Sequence, residues 1–194
     1  SDSSRYFGRT DYKVGNVIAA DFITQEIREL GLDVMEQDFT YPKNTMHGAL
    51  SFSVDGREYE FSKEFVVKEF SSSKNATMDI YFLPDEYLTT KKDQFYQHLN
   101  SGKYLNSFVA FDFALFSENF GGKGVELYRD NLVQLDKVGG IIFLYDSRPV
   151  SYVARANYTT PFPVVCVGPD FPRNAKTATI NLENKFLHNY KAKN

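Results

Sequence analysis

The sequence predicts an α+β fold, in which a strand-rich sandwich or barrel is flanked by helices and preceded by one long amphipathic helix and a strand. Three observations predict it. Apolar residues alternate with period two from residue 48 onward. Aromatic residues make up 16% of the chain, with 18 Phe and 13 Tyr, and such side chains fit pleated, half-buried surfaces. Finally, strand-like and helix-like segments alternate in the last third of the chain.

Composition excludes several classes of protein. The 194 residues carry a net charge of −3, which provides no electrostatic footprint for nucleic acid. No apolar run approaches the roughly 18 residues that a transmembrane segment needs. The single cysteine, Cys166, excludes an intrachain disulfide framework and a cysteine-based zinc knuckle. We expect Cys166 to be a small apolar residue in a buried strand.

The first predicted element is an amphipathic helix over residues 11–30. Apolar residues recur there at spacings of three and four, beginning at Val14 and ending at Leu30. Thr10 or Asp11 can cap its start, and Gly31 suits the left-handed position after its end. Residues 32–41 then predict an extended strand, which Pro42 ends.

The middle of the chain predicts strands. Residues 50–54 alternate, Asp55-Gly56 is a strong hairpin signal, and Tyr59 and Phe61 form the returning strand. The further predicted elements are strands over 65–70 and 78–83, a loop over 71–75, and a polar stretch over 85–106 with a short helix at 91–99.

The last third predicts a strand–helix–strand unit. Residues 141–145 are a continuous apolar run, as expected of a strand covered on both faces. The other predicted elements are a strand over 107–113, a glycine-rich loop over 116–124, a helix from Val125 to Leu135 stopped by Gly139-Gly140, a loop over 147–161, and strands over 162–167 and 178–182.

Histidines are the first candidates for metal binding or acid–base chemistry. His47, His98 and His188 lie far apart in the sequence, and none has a carboxylate at ligand spacing. A zinc site needs three or four such ligands, and the His-Glu-x-x-His motif is absent. We therefore expect three surface or turn histidines.

Other motifs also favour structural interpretations. Asp85-Glu86 follows a strand end, where we expect a solvated turn, and residues 121–124 lack the Gly-Lys-Ser/Thr pattern of a phosphate loop. Arg148 and Arg155 lie in a loop between late strands, where they either meet a carboxylate or are solvated; solvation is the favoured interpretation. The sequence thus assigns no catalytic, cofactor-binding or metal-binding residue to this chain.

Two stretches resemble the noncatalytic front half of co-catalytic zinc aminopeptidases that carry a protease-associated (PA) domain. The first begins with Ser4-Arg5-Tyr6-Phe7-Gly8-Arg9-Thr10 and continues through Leu30-Gly31-Leu32 to Asp38-Phe39. It resembles the opening segment of that family, with a Gly-Arg-Thr-like turn, a helix ending in Leu-Gly-Leu, and a strand leading to an aromatic residue.

The second stretch covers residues 61 to 182 and resembles an inserted PA domain. Its resemblance lies in Asp79-Ile80-Tyr81-Phe82, in Gly139-Gly140-Ile141-Ile142-Phe143 and in Pro161-Phe162-Pro163-Val164-Val165. Lys193-Asn194 resembles the point where that family's chain re-enters the peptidase domain. The resemblance implies three segments: an opening helix and strand of the peptidase domain over 1–42, a PA-type domain over 43–185, and a return segment over 186–194.

The resemblance also implies a function. In that family the chemistry comes from two zinc ions held by His, Asp and Glu ligands, with a Glu general base, all beyond the re-entry point. We therefore expect no cofactor in this chain and two zinc ions in a peptidase domain that it lacks. The chain would be the accessory, noncatalytic portion of a secreted or periplasmic zinc metallo-aminopeptidase, a hydrolase, and would shape the access of peptide substrates or contact partners.

Two alternatives remain open at the level of sequence. The first is a stand-alone PA-like module that binds peptide or protein. The second is a self-sufficient hydrolase whose catalytic residues converge in space.

The resemblance has one further physical consequence, because a helix and strand separated from their peptidase domain would expose an apolar face and an unpaired edge. We therefore expect self-association through these surfaces.

Overall fold

The computed structural model describes residues 15–35, 38–46, 50–121, 125–149 and 158–193. The chain divides into two compact units, Ser1–Thr45 with Phe186–Asn194, and Met46–Lys185. The assignment of 1–42 and 186–194 to a peptidase domain, and of 43–185 to a PA-type domain, stays a prediction. Among the described residues, no helix combines the length and the apolarity needed to cross a bilayer.

The opening part of the chain contains helix α1, Gly15–Glu29, and strand β1, Asp38–Met46. The predicted helix is confirmed over Gly15–Glu29, and Gly31 follows it with a φ of 77°. Its predicted first turn, residues 11–14, and the predicted caps Thr10 and Asp11 lie outside the described residues. The predicted strand is wrong in its bounds, because residues 32–35 form no regular structure and β1 runs through Pro42. Strand β1 pairs with β10, Asn184–Lys193, in a two-stranded sheet. Each strand of such a sheet has a free edge, which tolerates the missing N–H of proline.

The second unit is organised around an eight-stranded mixed sheet with the order β3-β2-β9-β5-β6-β7-β8-β4. The four strands β5 to β8 run parallel, and the remaining pairs are antiparallel. Its strands are β2 Ser51–Val54, β3 Arg57–Glu58, β4 Phe65–Val67, β5 Lys74–Phe82, β6 Tyr104–Asp112, β7 Val138–Leu144, β8 Val164–Val167 and β9 Thr177–Leu182.

Among the described residues, four helices connect the parallel strands. They are α2 Asp85–Leu88 and α3 Lys92–Leu99, between β5 and β6, and α4 Phe113–Phe120 and α5 Val125–Leu132, between β6 and β7. The predicted α+β class, with one helix and one strand ahead of a strand-rich, helix-flanked domain, is confirmed.

Two hydrophobic cores lie on opposite faces of this sheet. One contains the apolar sides of the helices, including Phe95, Phe116 and Leu132, against Phe111 and Phe143 of the strands. The other is built from alternate strand residues, among them Phe52, Phe65, Phe108, Ile142 and Val165. Strand β7 is buried along its whole length, as its continuous apolar sequence predicts, because both of its faces are covered.

The hairpin between β2 and β3 forms as predicted. Asp55 and Gly56 occupy the turn with φ angles of 48° and 82°, the positive pair that a type I′ turn requires. The Asp55 carboxylate accepts hydrogen bonds from the backbone N–H groups of Thr177 at 2.9 Å and Lys176 at 3.1 Å. These bonds, that of Thr177 first, lower the pKa of Asp55 and join the turn to the start of β9.

The prediction that Gly139 and Gly140 end a helix is wrong, because both residues lie inside β7. A side chain at Gly139 would place its Cβ 2.7 Å from Met78 Sδ and 2.8 Å from the backbone N of Ser107. At Gly140 a Cβ would overlap the ring of Phe108, which is paired with Gly140 across the strands. Both glycines are therefore required by close packing within the sheet rather than by a helix terminus.

The predicted loop over 116–124 is wrong for residues 116–120, because residues 113–120 form helix α4, and residues 122–124 lie outside the described residues. Asp112 caps this helix by accepting a hydrogen bond from the Leu115 N–H at 2.9 Å. Phe116 and Phe120, one turn apart, are both buried, and Gly121 ends the helix with a φ of 67°. Smaller corrections concern β4, which stops at Val67, and β5, which begins at Lys74 inside the predicted loop over 71–75.

Candidate functional site

His98 and His188 belong to different elements of the structure. His98 lies half-buried in α3, with its Nε2 2.7 Å from the Tyr104 hydroxyl and its ring stacked 4.0 Å from the ring of Tyr87. Burial, and then the nearby charge of Lys103, lower its pKa. His98 therefore lies partly exposed on a helix rather than in a turn. His188 belongs to β10, and His47 lies outside the described residues.

The next sequence candidate is the acidic pair Asp85-Glu86. Asp85 and Glu86 form the first turn of α2, where carboxylates favourably face the positive end of a helix, so the predicted solvated turn is a short helix. Arg155 and residues 122–124 lie outside the described residues. Within the part of the chain that the structure describes, no three His, Cys, Asp or Glu side chains are grouped to hold a metal ion.

Cys166 is a buried residue of β8, as expected. Burial raises the pKa of its thiol to about 11, against the opposing effects of Lys68 and of a hydrogen bond with Tyr145. The Tyr145 hydroxyl also lies 3.0 Å from that of Tyr128. A thiol with this pKa stays protonated at neutral pH and is a poor nucleophile.

The described residues of the second unit form a cleft of about 400 Å³, here called the Arg148 cleft. It lies beyond the ends of β7 and β8, and ligands of open sheets with parallel strands bind beyond the carboxyl ends of those strands. It is lined by Arg57, Tyr59, Lys63, Glu64, Arg148 and residues 168–172.

One wall of the cleft is a tight turn that follows β3. The Glu60 carbonyl accepts hydrogen bonds from the N–H groups of Lys63 at 3.2 Å and Glu64 at 2.9 Å. The Glu64 carboxylate in return accepts the Glu60 N–H at 2.9 Å and pairs with Arg57. These two contacts, in that order, lower the pKa of Glu64. The turn also holds Ser62 at a φ of 68°, a rare conformation for a residue other than glycine.

Arg148 connects this turn to the end of β7. Its Nη2 donates to the Ser62 carbonyl at 2.5 Å, which fixes the guanidinium at the rim of the cleft. Ser62 is itself held by donating its N–H to the Phe65 carbonyl at 2.8 Å. Arg148 is the one cleft residue that the sequence analysis treats as a candidate for ligand contact. It is exposed to solvent, in agreement with the favoured interpretation.

Aromatic rings form a second wall. The Tyr59 ring lies 6.0 Å from that of Phe171 and 5.8 Å from that of Phe52. The Arg57 guanidinium lies 4.4 Å from the centre of the Tyr59 ring. Burial is the main cause that raises the pKa of Tyr59. The wall therefore combines an apolar surface with a hydroxyl group that stays protonated at neutral pH.

The charges of the cleft are only partly neutralised within the protein. Arg57 pairs with Glu64, and Lys63 pairs with Glu60 at 2.5 Å. Among the described residues, neither Arg148 nor Asp170 forms an ion pair, although both are exposed and both line the cleft. Among the described residues, the lining consists of charged, aromatic, proline and glycine residues. This chemistry suits the binding of a charged ligand.

The chain is similar in fold, but not closely in sequence, to solved structures of other proteins. No family model matches the chain, and no curated protein matches it. An aminopeptidase from Aneurinibacillus sp. strain AM-1 is 14% identical, with a TM-score of 0.57 over 95% of this chain and 42% of that one. BSAP, a zinc aminopeptidase from Bacillus subtilis, is 14% identical, with a TM-score of 0.59 over 94% of this chain and 40% of that one.

These two similarities have the same pattern of coverage. Nearly all of this chain is matched in both comparisons, whereas less than half of each aminopeptidase is. At this level of sequence identity the likeness establishes the fold alone. The chain therefore has the fold of a part of these aminopeptidases.

Proposed function

We propose that this chain is the accessory, noncatalytic portion of a zinc-dependent aminopeptidase. The observation that carries the proposal is the unequal coverage, since the likeness spans 94–95% of this chain but only 40–42% of the two aminopeptidases. In this proposal the zinc ligands and the general base belong to the remainder of a peptidase domain. Two zinc ions would supply the activated water there, and this chain would supply none of their ligands.

The two units take different roles in the proposal. The unit Met46–Lys185 is a PA-type domain that limits or guides the approach of peptide substrates. The opening helix and strand, with the return segment, belong to the peptidase domain. The surface of α1 and the residues after it supports this, because Phe22, Leu30 and Met35 are 62%, 76% and 94% exposed. Such an apolar surface is typical of one that another domain covers.

The open reading frame that contains these 194 residues tests the proposal. We expect it to encode, after Asn194, a segment with His, Asp and Glu residues at the spacings of a two-zinc site. The full-length protein should bind zinc and release the N-terminal residues of peptides. A reading frame without such a segment would instead support the stand-alone binding module.

The cellular location is part of the proposal. We propose that the parent protein is secreted or periplasmic, as the family resemblance implies. Fractionation of the source cells with an antibody against this chain tests it. Recovery from the medium or the periplasm is the expected result, and recovery from the cytoplasm alone would contradict it.

A further inference from the structure

We propose that the Arg148 cleft binds a small zwitterion, namely a free amino acid or a dipeptide. Arg148 would hold the carboxylate of the ligand, Asp170 its ammonium group, and the wall of Tyr59 and Phe171 would contact its side chain. The inference depends on the cleft alone and is independent of the proposed function.

The carboxylate subsite follows from the state of Arg148. One of its N–H groups is used by the Ser62 carbonyl at 2.5 Å, which fixes the position of the guanidinium. A guanidinium has five such donors, and no described residue provides Arg148 with a carboxylate. A positioned guanidinium at the rim of a cleft is well suited to a carboxylate, which it can bind through two parallel hydrogen bonds.

The ammonium subsite follows from Asp170. This residue lies in a short turn after β8, which is closed by a hydrogen bond of 3.2 Å from the Phe171 N–H to the Gly168 carbonyl. Its carboxylate is exposed in the cleft and forms no ion pair with Arg148 or any other described residue. One positive and one negative group, held on the same cleft without neutralising each other, match a ligand that carries both charges.

The size and rigidity of the cleft favour a ligand of this class. A volume of about 400 Å³ lies near the lower end of the usual range for small-molecule sites, about 300 to 1,000 Å³. The walls are held before binding, by the Glu64 hydrogen bonds on one side and the ring contact between Tyr59 and Phe171 on the other. Preorganised groups lose less entropy on binding, which raises affinity.

A titration followed by heteronuclear NMR tests the proposal with the 194-residue chain. The probe is the dipeptide leucyl-phenylalanine, compared with its N-acetylated and its C-amidated forms. We expect chemical-shift changes centred on Arg148 and residues 168–172. Each blocked form should bind about tenfold more weakly, because it lacks one of the two charges. Equal binding of either blocked form, or no change in the cleft at millimolar dipeptide, would overturn the proposal.

Matched variants make the test specific. Arg148→Gln should weaken binding of the dipeptide about tenfold, and Asp170→Asn should do the same without touching the bond to Ser62. Arg129→Gln and Asp79→Asn change exposed residues outside the cleft and should leave binding unchanged. Spectra of all four free variants report whether the fold is kept. Equal weakening by the control variants, or unchanged affinity in a folded Asp170→Asn, would contradict the assignment.

Discussion

Buried side chains that lose a proton at high pH make the stability of this chain sensitive to alkali. Cys166 is the clearest case, because burial raises the pKa of its thiol to about 11. The unfolded chain, with an ordinary thiol pKa of about 8.5, loses this proton first. The folded state therefore binds the proton more tightly. The stability that this thiol contributes is fully present below the pKa of the unfolded chain and is lost as the pH rises from there through the pKa of the folded chain.

We predict that the free energy of unfolding decreases between about pH 9 and about pH 11, with about 3 kcal/mol from Cys166 at most. The pKa of Tyr96, raised to about 12 mainly by burial, adds a loss in the same direction at higher pH. Urea unfolding across this range, on the native chain and on Cys166→Ala, measures the effect. The variant should lose part of the pH dependence, and identical slopes for both proteins would contradict the assignment.

The packing of the two glycines in β7 leads to a second prediction at the same scale. Gly140→Ala should destabilise the chain by about 2 kcal/mol, because the new methyl group would overlap the Phe108 ring. Chemical denaturation measures this loss. A double variant that adds Phe108→Leu creates room for the methyl group and should recover part of the stability. An Ala variant as stable as the native chain would show that Gly140 does not face Phe108.

At the scale of single elements, the sequence predicted correctly those helices, strands and turns whose local signals are strong. Helix α1, the Asp55-Gly56 hairpin and the buried strand β7 follow from apolar spacing and turn chemistry. Helix α4 was missed because the glycines after residue 120 dominate that window. Its own signals, the Asp112 cap and the spacing of Phe116 and Phe120, were present in the sequence.

The cap of α4 is a testable feature of this element. Asp112→Ala should destabilise the chain by about 1 kcal/mol, because the Leu115 N–H would lose its acceptor. Glu118→Ala, an exposed change in the same helix, serves as the matched control and should have little effect. Urea midpoints of the two variants provide the comparison. Equal midpoints would mean that the carboxylate of Asp112 does not cap the helix.

At the scale of the whole molecule, the fold class was predictable and the cleft was not. The fold class depends on the order of elements, which periodicity shows along the sequence. The Arg148 cleft instead joins residues 57–64 to Arg148 and to residues 168–172, which only the finished sheet brings together. No local pattern marks such a site. The two glycines of β7 were misassigned for the same reason, since their neighbours Met78 and Phe108 lie on other strands.

The apolar surface around α1 predicts self-association of the 194-residue chain. Phe22 and Leu30 are 62% and 76% exposed, and burying them between two copies would remove apolar area from water. Light scattering should show a mass that rises with concentration. Phe22→Ser should shift this rise to higher concentration, whereas Gln25→Ser in the same helix should not. A compact monomer at high concentration would contradict this prediction.

The central proposal is that this chain does not itself catalyse the release of N-terminal residues from peptides. The most direct test is an aminopeptidase assay with added zinc, run in parallel on the 194-residue chain and on the product of its full reading frame. We predict turnover by the full-length protein and none by the shorter chain. If the isolated 194-residue chain hydrolyses the substrate, and this activity is lost on chelation and restored by zinc, the account is contradicted and a self-sufficient hydrolase is supported.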